Sequence, residues 1–139
     1  MDPWLDQIES DLVRAGCTVR REDHHLRIPL ATGSSFLIIT TERDLIYQLE
    51  TDLEEVRMMI SGDTTEDLSE DELCRVAREE LRPFIRRNQS KLVQADFQEN
   101  VVSDQALYAV TFTKSLKESS PEQAMEEIRW CLKTLTSPS

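Results

Sequence analysis

Apolar residues recur every three or four positions near both ends of this chain, and every second position between residues 19 and 41. A period near 3.6 is typical of a helix with one buried face, whereas a period of two is typical of a strand. Pro3 begins the first helix and Gly16 ends it, while Ser120 caps a last helix that Pro121 begins. The change of period therefore predicts helices that pack on a sheet.

The strand pattern is clear in its first part and ambiguous after it. Between residues 19 and 41 the alternation falls into three segments, and each segment predicts a strand. Residues 44–60 fit one helical face through Leu45, Leu49 and Leu53, and they also fit two strands. We favour two strands for this segment, and a helix remains the alternative.

A middle helix follows, with a clear start. Ser69 and Glu72 form a capping box, and Asn88 is the predicted end of the helix. Two further strands are predicted at residues 93–97 and 108–112, because apolar side chains alternate in both. A long loop is predicted between them.

Together these elements predict an α+β fold in the order α-β-β-β-α-β-β-α. The sheet is predicted to be mainly antiparallel with about five strands, and the N-terminal, middle and C-terminal helices pack on it. A chain of 139 residues is in the size range of one domain. Residues 1–136 are therefore predicted to form a single domain, with a short disordered tail at 137–139.

Charge and apolar content limit the partners that this chain can have. It has 27 acidic and 16 basic residues, a formal net charge of −11, which repels nucleic acid and anionic lipid surfaces. No apolar run approaches the ~18 residues of a membrane span, and the acidic N-terminus does not resemble a secretory signal. We expect a cytoplasmic protein whose partner is another protein, and neither nucleic acid nor a membrane.

Residues that would support catalysis or cofactor binding do not form a recognisable pattern. The three glycines are isolated, so no phosphate-binding loop or dinucleotide fingerprint occurs. His24 and His25 are adjacent and would point to opposite faces of a strand, and Cys17, Cys74 and Cys131 are far apart in the sequence. We expect no catalytic residue, no metal and no cofactor, and hence a non-enzymatic protein.

Candidate binding residues occur first in the central strands. The segment 36–39 is apolar on both faces, and so is the segment around Tyr47, which is unusual for a sheet with one wet face. Either helices of this chain or another subunit would cover the second face, and both remain open. Leu37, Ile39, Ile46 and Tyr47 are therefore candidate partner-binding residues.

Two further candidates lie on predicted helices. Trp130 falls outside the apolar stripe of the last helix, so its ring either folds over neighbouring side chains or contacts a partner. Arg75, Arg78, Arg82 and Arg86 fall within one arc of the middle helix, outside its apolar face. This stripe is either a solvated surface or a docking site for an acidic partner segment.

Several stretches, taken in order, resemble the type III secretion chaperone-like fold. WLDQIESDLVRAGC resembles its opening helix, HLRIPL and SFLIITTERDLIYQLE its sheet, ELRPFIRRNQSKLVQADF its helix-to-strand passage, and SPEQAMEEIRWCLKTL its closing helix. Class I secretion chaperones share this fold with YbjN-type proteins, which are regarded as sensory-transduction regulators. The resemblance implies a non-enzymatic homodimer that binds extended segments of other proteins.

Two functional expectations follow. The first is a chaperone-like module that holds or regulates another protein through apolar sheet and helix surfaces. The alternative is a regulatory or scaffolding domain of the YbjN type, which acts through its charged helix face and masks no client. Strand addition at a sheet edge or docking in an apolar groove would serve the first expectation.

Overall fold

A computed structural model describes residues 3–30, 35–61, 69–103 and 106–136, without the side chains of residues 60, 61 and 136. The elements are, in order, α1 (Pro3–Arg14), β1 (Arg20–Arg21), β2 (His25–Pro29), β3 (Ser35–Thr40), β4 (Asp44–Asp52), α2 (Leu53–Ser61), α3 (Glu70–Gln94), β5 (Gln98–Ser103), β6 (Leu107–Ser115) and α4 (Pro121–Thr136). The six strands form one antiparallel sheet in the order β1-β2-β3-β4-β6-β5. The α+β prediction is confirmed, with one strand more than expected. The predicted tail at 137–139 lies outside the described residues.

The ambiguous segment 44–60 contains one strand and one helix. Side chains of β4 alternate between buried and half-buried along most of the strand, as the period of two predicts. Asp52 ends the strand and caps α2, because its Oδ1 accepts a hydrogen bond of 2.8 Å from the backbone N–H of Glu54. The second predicted strand is therefore wrong, and the alternative helix is correct for this half of the segment.

Helix α3 does not end at Asn88, where the sequence predicted its end. The Asn88 side chain is buried, and its Nδ2 donates to the backbone carbonyl of Leu135 in α4 at 3.4 Å. The helix continues to Gln94 and is followed by Asp96, whose φ of 69° turns the chain into β5. The strand predicted at 93–97 is therefore helix and turn for most of its length.

The core lies on one face of the sheet, which we call the inner face. Buried side chains of α1, α2, α3 and α4 join the inner-face residues of β2, β3, β4 and β6 in a single cluster. Tyr47 and Phe112 lie opposite each other in β4 and β6, and their ring centroids are 6.2 Å apart. Burial of this apolar area is the main stabilising contribution to the fold.

Candidate protein-binding surfaces

Three of the predicted partner-binding residues belong to the core. Leu37 and Ile39 have no exposed surface and Tyr47 is 2% exposed, so the chain's own helices cover them. Burial also raises the pKa of the Tyr47 hydroxyl. The chain's own helices thus cover the face on which these three residues lie, which is one of the two alternatives that the sequence left open.

Ile46 lies on the opposite face of the sheet, which we call the outer face, and is half-buried. It is directly opposite Ile38 in β3, and Phe36 lies two residues before Ile38 on the same face. The Arg27 guanidinium lies over the Phe36 ring at 3.8 Å from the centroid and forms an ion pair of 3.1 Å with Glu50. These contacts cover part of the apolar surface without a second protein layer.

The outer face has a band of uncharged side chains in a chain with 31% charged residues, and the Arg27–Glu50 ion pair crosses this band above Phe36. The cross-strand register places uncharged residues next to one another over four strands: Phe36, Ile38 and Thr40 in β3, Ile46 and Gln48 in β4, Thr111, Thr113 and Ala109 in β6, and Gln98, Asn100 and Val102 in β5. Depletion of charge is characteristic of the centre of protein interfaces. We call this set the uncharged patch.

Trp130 is partly buried and stacks on Phe97, with ring centroids 6.3 Å apart and an interplanar angle of 21°. Its ring lines an open cleft of ≈ 520 Å³ together with Lys91 and Lys114, among others. Lys114 forms an ion pair of 3.1 Å with Glu127. The ring thus folds over neighbouring side chains, as one of the two readings of the sequence predicted, and only part of it faces solvent.

Arg75, Arg78 and Arg82 are exposed on α3, as the sequence predicted, and Arg86 continues the row. Arg78, Arg82 and Arg86 line a cleft of ≈ 240 Å³ with Ile85 and Gln89, which we call the arginine groove. Among the residues that line it, no side chain is acidic. Arg75 lies one turn before the groove and is not part of its lining.

The groove is joined to the edge of the sheet by two side-chain hydrogen bonds. Arg78 Nη1 donates to the Tyr108 hydroxyl at 3.4 Å, and this hydrogen bond raises the pKa of Arg78. Gln89 Nε2 donates to Glu99 Oε1 at 2.9 Å, so the far end of the groove contacts β5. The arginine groove therefore lies beside β5.

Strand β5 was missed by sequence reasoning, which predicted a loop from residue 98 onward. It is the last strand of the sheet, and all six of its residues are exposed, with Val101 at 47% and Val102 at 55%. A pattern of burial could not reveal it, because no side chain of this strand is buried. The adjacent β-branched residues Val101 and Val102 were the available signal.

The orientation of the β5 backbone can be read from one contact. The Thr111 hydroxyl lies 3.5 Å from the Asn100 carbonyl and donates to it, so this carbonyl points toward β6. Successive strand residues direct their backbone groups to opposite sides. The N–H and C=O groups of Glu99, Val101 and Ser103 therefore point to the open edge, where no described strand pairs with them.

Metal-binding clusters and a reactive thiol would be two signs of chemistry among the residues that the structure describes. No cluster of three or more histidine, cysteine and acidic side chains that could hold a metal occurs among the described residues. Burial raises the pKa of the Cys131 thiol to about 12, so this cysteine is not a nucleophile at neutral pH. In the described part of the chain, no helix has the length and apolar character that crossing a membrane requires.

Comparisons with known proteins give one distant likeness. No protein-family model matches the chain, and no curated protein sequence matches it. The crystal structure of YbjN from E. coli is similar over 98% of this chain and 88% of that chain, with 11% sequence identity and a TM-score of 0.48. At this level of similarity neither family membership nor function is transferred.

Proposed function

We propose that this chain is a non-enzymatic protein-binding module that holds an extended segment of another polypeptide along the open edge of β5. The observation that carries the proposal is the edge itself, which has six exposed residues with no Pro, Lys or Arg. Natural sheet edges are normally blocked by such residues or by covering elements, because an open edge pairs readily with another strand. Addition of a strand to an exposed edge is a common mode of peptide recognition.

The structure changes the balance between the two functional expectations. Burial of Leu37, Ile39 and Tyr47 leaves Ile46 and Trp130 as the partly exposed apolar residues for the chaperone-like hypothesis. The charged face of α3 is exposed and lies beside the open edge, which supports the regulatory or scaffolding alternative. The proposed module combines this helix face with strand addition at β5.

Hydrogen exchange with synthetic peptides tests the proposal. The probes are ten-residue peptides rich in Thr and Val, prepared in acidic, neutral and basic versions. At least one version should slow exchange of the backbone amides of Glu99, Val101 and Ser103, and Val101→Pro should abolish binding because proline has no N–H to donate. Val101→Thr is the matched control, since it keeps both the N–H and a β-branched side chain.

Two outcomes would overturn the proposed function. The first is that none of the three peptide versions protects the β5 amides at millimolar concentration. The second is that Val101→Pro, folded as judged by circular dichroism, binds each peptide as tightly as the unmodified chain.

A second candidate interaction is self-association through the outer face, which the uncharged patch supports. Two copies with a net charge of −11 repel each other over most of their surfaces, and this patch offers contact without like charges. Four strands spaced about 4.8 Å apart, each contributing at most about five residues, give a flat area of roughly 300 Å² per copy, which is smaller than a standard specific interface. We propose a weak homodimer with the two sheets face to face.

Sedimentation velocity over a range from 1 to about 500 μM tests this dimer. The unmodified chain should shift from monomer toward dimer in the upper part of this range, at roughly 100 μM and above. Ile46→Glu should remain monomeric because it places a charge in the centre of the patch, and Val13→Glu, at an exposed position on α1, should associate like the unmodified chain. A strictly monomeric chain at the highest concentration would rule the dimer out.

A further inference from the structure

The direction of α3 relative to β5 follows from the two hydrogen bonds that join them. Arg78 contacts Tyr108, which lies opposite Ser103, the last residue of β5. Gln89 contacts Glu99, near the start of the strand. The helix and the strand therefore run in opposite directions, and the arginine groove extends along the open edge rather than across it.

The two elements also match in length. From Arg78 to Gln89 the helix rises about 16 Å, and from Ser103 to Glu99 the strand spans about 13 Å. A strand added to β5 would consequently lie beside the whole groove. About five residues of the added segment would lie beside it, and about three of them would face it.

The spacing of the arginines matches that of alternate residues in a strand. Arg78, Arg82 and Arg86 are separated by one helical turn each, which is about 6 Å along the helix axis. Side chains on one face of an extended segment recur about every 6.6 Å. Three side chains at alternate positions of the added strand would thus each meet one arginine.

The charges of the groove select an acidic segment. Glu79 forms a surface ion pair with Arg82 at 2.6 Å, and the Glu99 carboxylate accepts the hydrogen bond from Gln89. Neither acid is among the lining residues, which are three arginines, Ile85 and Gln89, but Glu99 and Glu79 are close enough to Arg78 to contribute to its raised pKa. Guanidinium groups bind carboxylates with two parallel hydrogen bonds, and they are attracted to negative charge in an otherwise acidic chain.

We propose that the segment held at β5 carries carboxylates at alternate positions, which pair with Arg78, Arg82 and Arg86. This inference rests on the proposed function, because it names the class of segment that the open edge accepts. The residues between the carboxylates face the outer side and continue the uncharged patch beyond Asn100 and Val102. The expected segment therefore alternates acidic residues with small or β-branched uncharged ones.

Three synthetic peptides of equal length test the inference. The first has three Glu at alternate positions separated by Thr and Val, the second has the same composition with its three Glu consecutive, and the third has Gln in place of Glu. Affinity is measured by isothermal titration calorimetry, and hydrogen exchange of the Glu99, Val101 and Ser103 amides reports pairing at the edge.

The alternating acidic peptide should bind at least tenfold more tightly than the Gln peptide at low salt, and the consecutive peptide should fall between them. Arg78→Gln, Arg82→Gln and Arg86→Gln should each weaken binding of the alternating peptide about two- to fivefold. Arg14→Gln is the matched control, since this exposed arginine lies on α1, and it should leave the affinity unchanged.

The outcomes distinguish this inference from the proposed function. If the Gln peptide protects the β5 amides as well as the alternating acidic one, the edge binds segments but the charge inference is overturned. If no peptide protects these amides, the proposed function fails. If a single-stranded oligonucleotide competes at the groove more strongly than the acidic peptide, the arginines serve phosphate binding and the inference is overturned.

Discussion

The two edges of the sheet differ in length, charge and protection. At one edge, β1 has two residues, both arginines, and Arg21 forms ion pairs with Asp6 and Glu9 of α1 at 3.1 and 3.2 Å. At the other edge, β5 has six exposed residues without a basic side chain. Short, basic edges resist pairing with other strands, whereas a longer edge with Glu99 as its single charged residue is less protected. The sheet therefore has one protected edge, at β1, and one open edge, at β5.

The largest expected effect on stability concerns Phe112 in β6, the strand that pairs with β5. Phe112 is fully buried, lies opposite Glu99 and packs on Tyr47. Phe112→Ala should lower the free energy of unfolding by about 3–5 kcal/mol, because it removes buried area and leaves a cavity. Urea denaturation measures this loss, with Thr113→Ala on the outer face as a control that should cost less than about 1 kcal/mol. A loss below about 1 kcal/mol for Phe112→Ala would contradict the packing described here.

Two proline variants test which backbone groups of β5 face the open edge. Val102→Pro should lower the free energy of unfolding by about 1–3 kcal/mol, because it leaves a β6 carbonyl without its hydrogen bond. Val101→Pro should change it by less than about 0.5 kcal/mol, because the N–H of Val101 points outward. Thermal or urea unfolding decides between them, and equal losses would mean that the direction assigned to the Asn100 carbonyl is wrong.

Alkaline pH should lower the stability of the fold through Cys131, which is buried in α4. Burial raises the pKa of Cys131 from 9.0 to about 12, so above pH 9 the unfolded thiol loses its proton while the folded thiol keeps it. The unfolded state is then favoured as pH rises, by about 1.4 kcal/mol at pH 10. The free energy of unfolding is measured at pH 8 and pH 10 for the unmodified chain and for Cys131→Ala, and the variant should lack this loss. An identical pH dependence in the two chains would contradict the prediction.

The smallest expected effect is at the protected edge. Arg21→Ala should lower the free energy of unfolding by only about 0.2–1 kcal/mol, since the ion pairs with Asp6 and Glu9 are partly exposed and screened by salt. In Arg21→Ala, peptides that slow hydrogen exchange of the β5 amides should still leave the β1 amides unprotected, because β1 has only two residues. Protection of β1 in this variant would mean that charge, rather than length, decides which edge is open.

Much of the fold was predictable from the sequence; α2 was missed because residues 44–60 fit both periods, and the failures at β5 and at the end of α3 share another cause. Helices α1 and α4 and strands β2 to β4 bury one face, so the spacing of their apolar residues indicates the structure. Strand β5 buries nothing, and the extension of α3 past Asn88 depends on a contact with Leu135, far away in the sequence. Local patterns do not encode contacts of that kind.

The candidate site was predictable in part for the same reason. The arginine row follows from helical periodicity, so Arg75, Arg78 and Arg82 were placed correctly on an exposed face. Periodicity also grouped Leu37, Ile39 and Tyr47, but it cannot tell which face of a sheet the helices cover. The partner edge itself required the three-dimensional order of the strands.

The position of β6 between β4 and β5 has a consequence for synthesis on the ribosome. Strand β4 pairs with β3 on one side and with β6 on the other, from Asp44 opposite Ser115 to Asp52 opposite Leu107. The side that pairs with β6 stays unpaired until α2, α3 and β5 have been synthesised. Until then the nascent chain exposes the unpaired side of β4, which has nine residues and is apolar on its inner face. Pairing between such distant segments slows folding. Ribosome-bound chains that stop before residue 107 should therefore be the species most prone to aggregate.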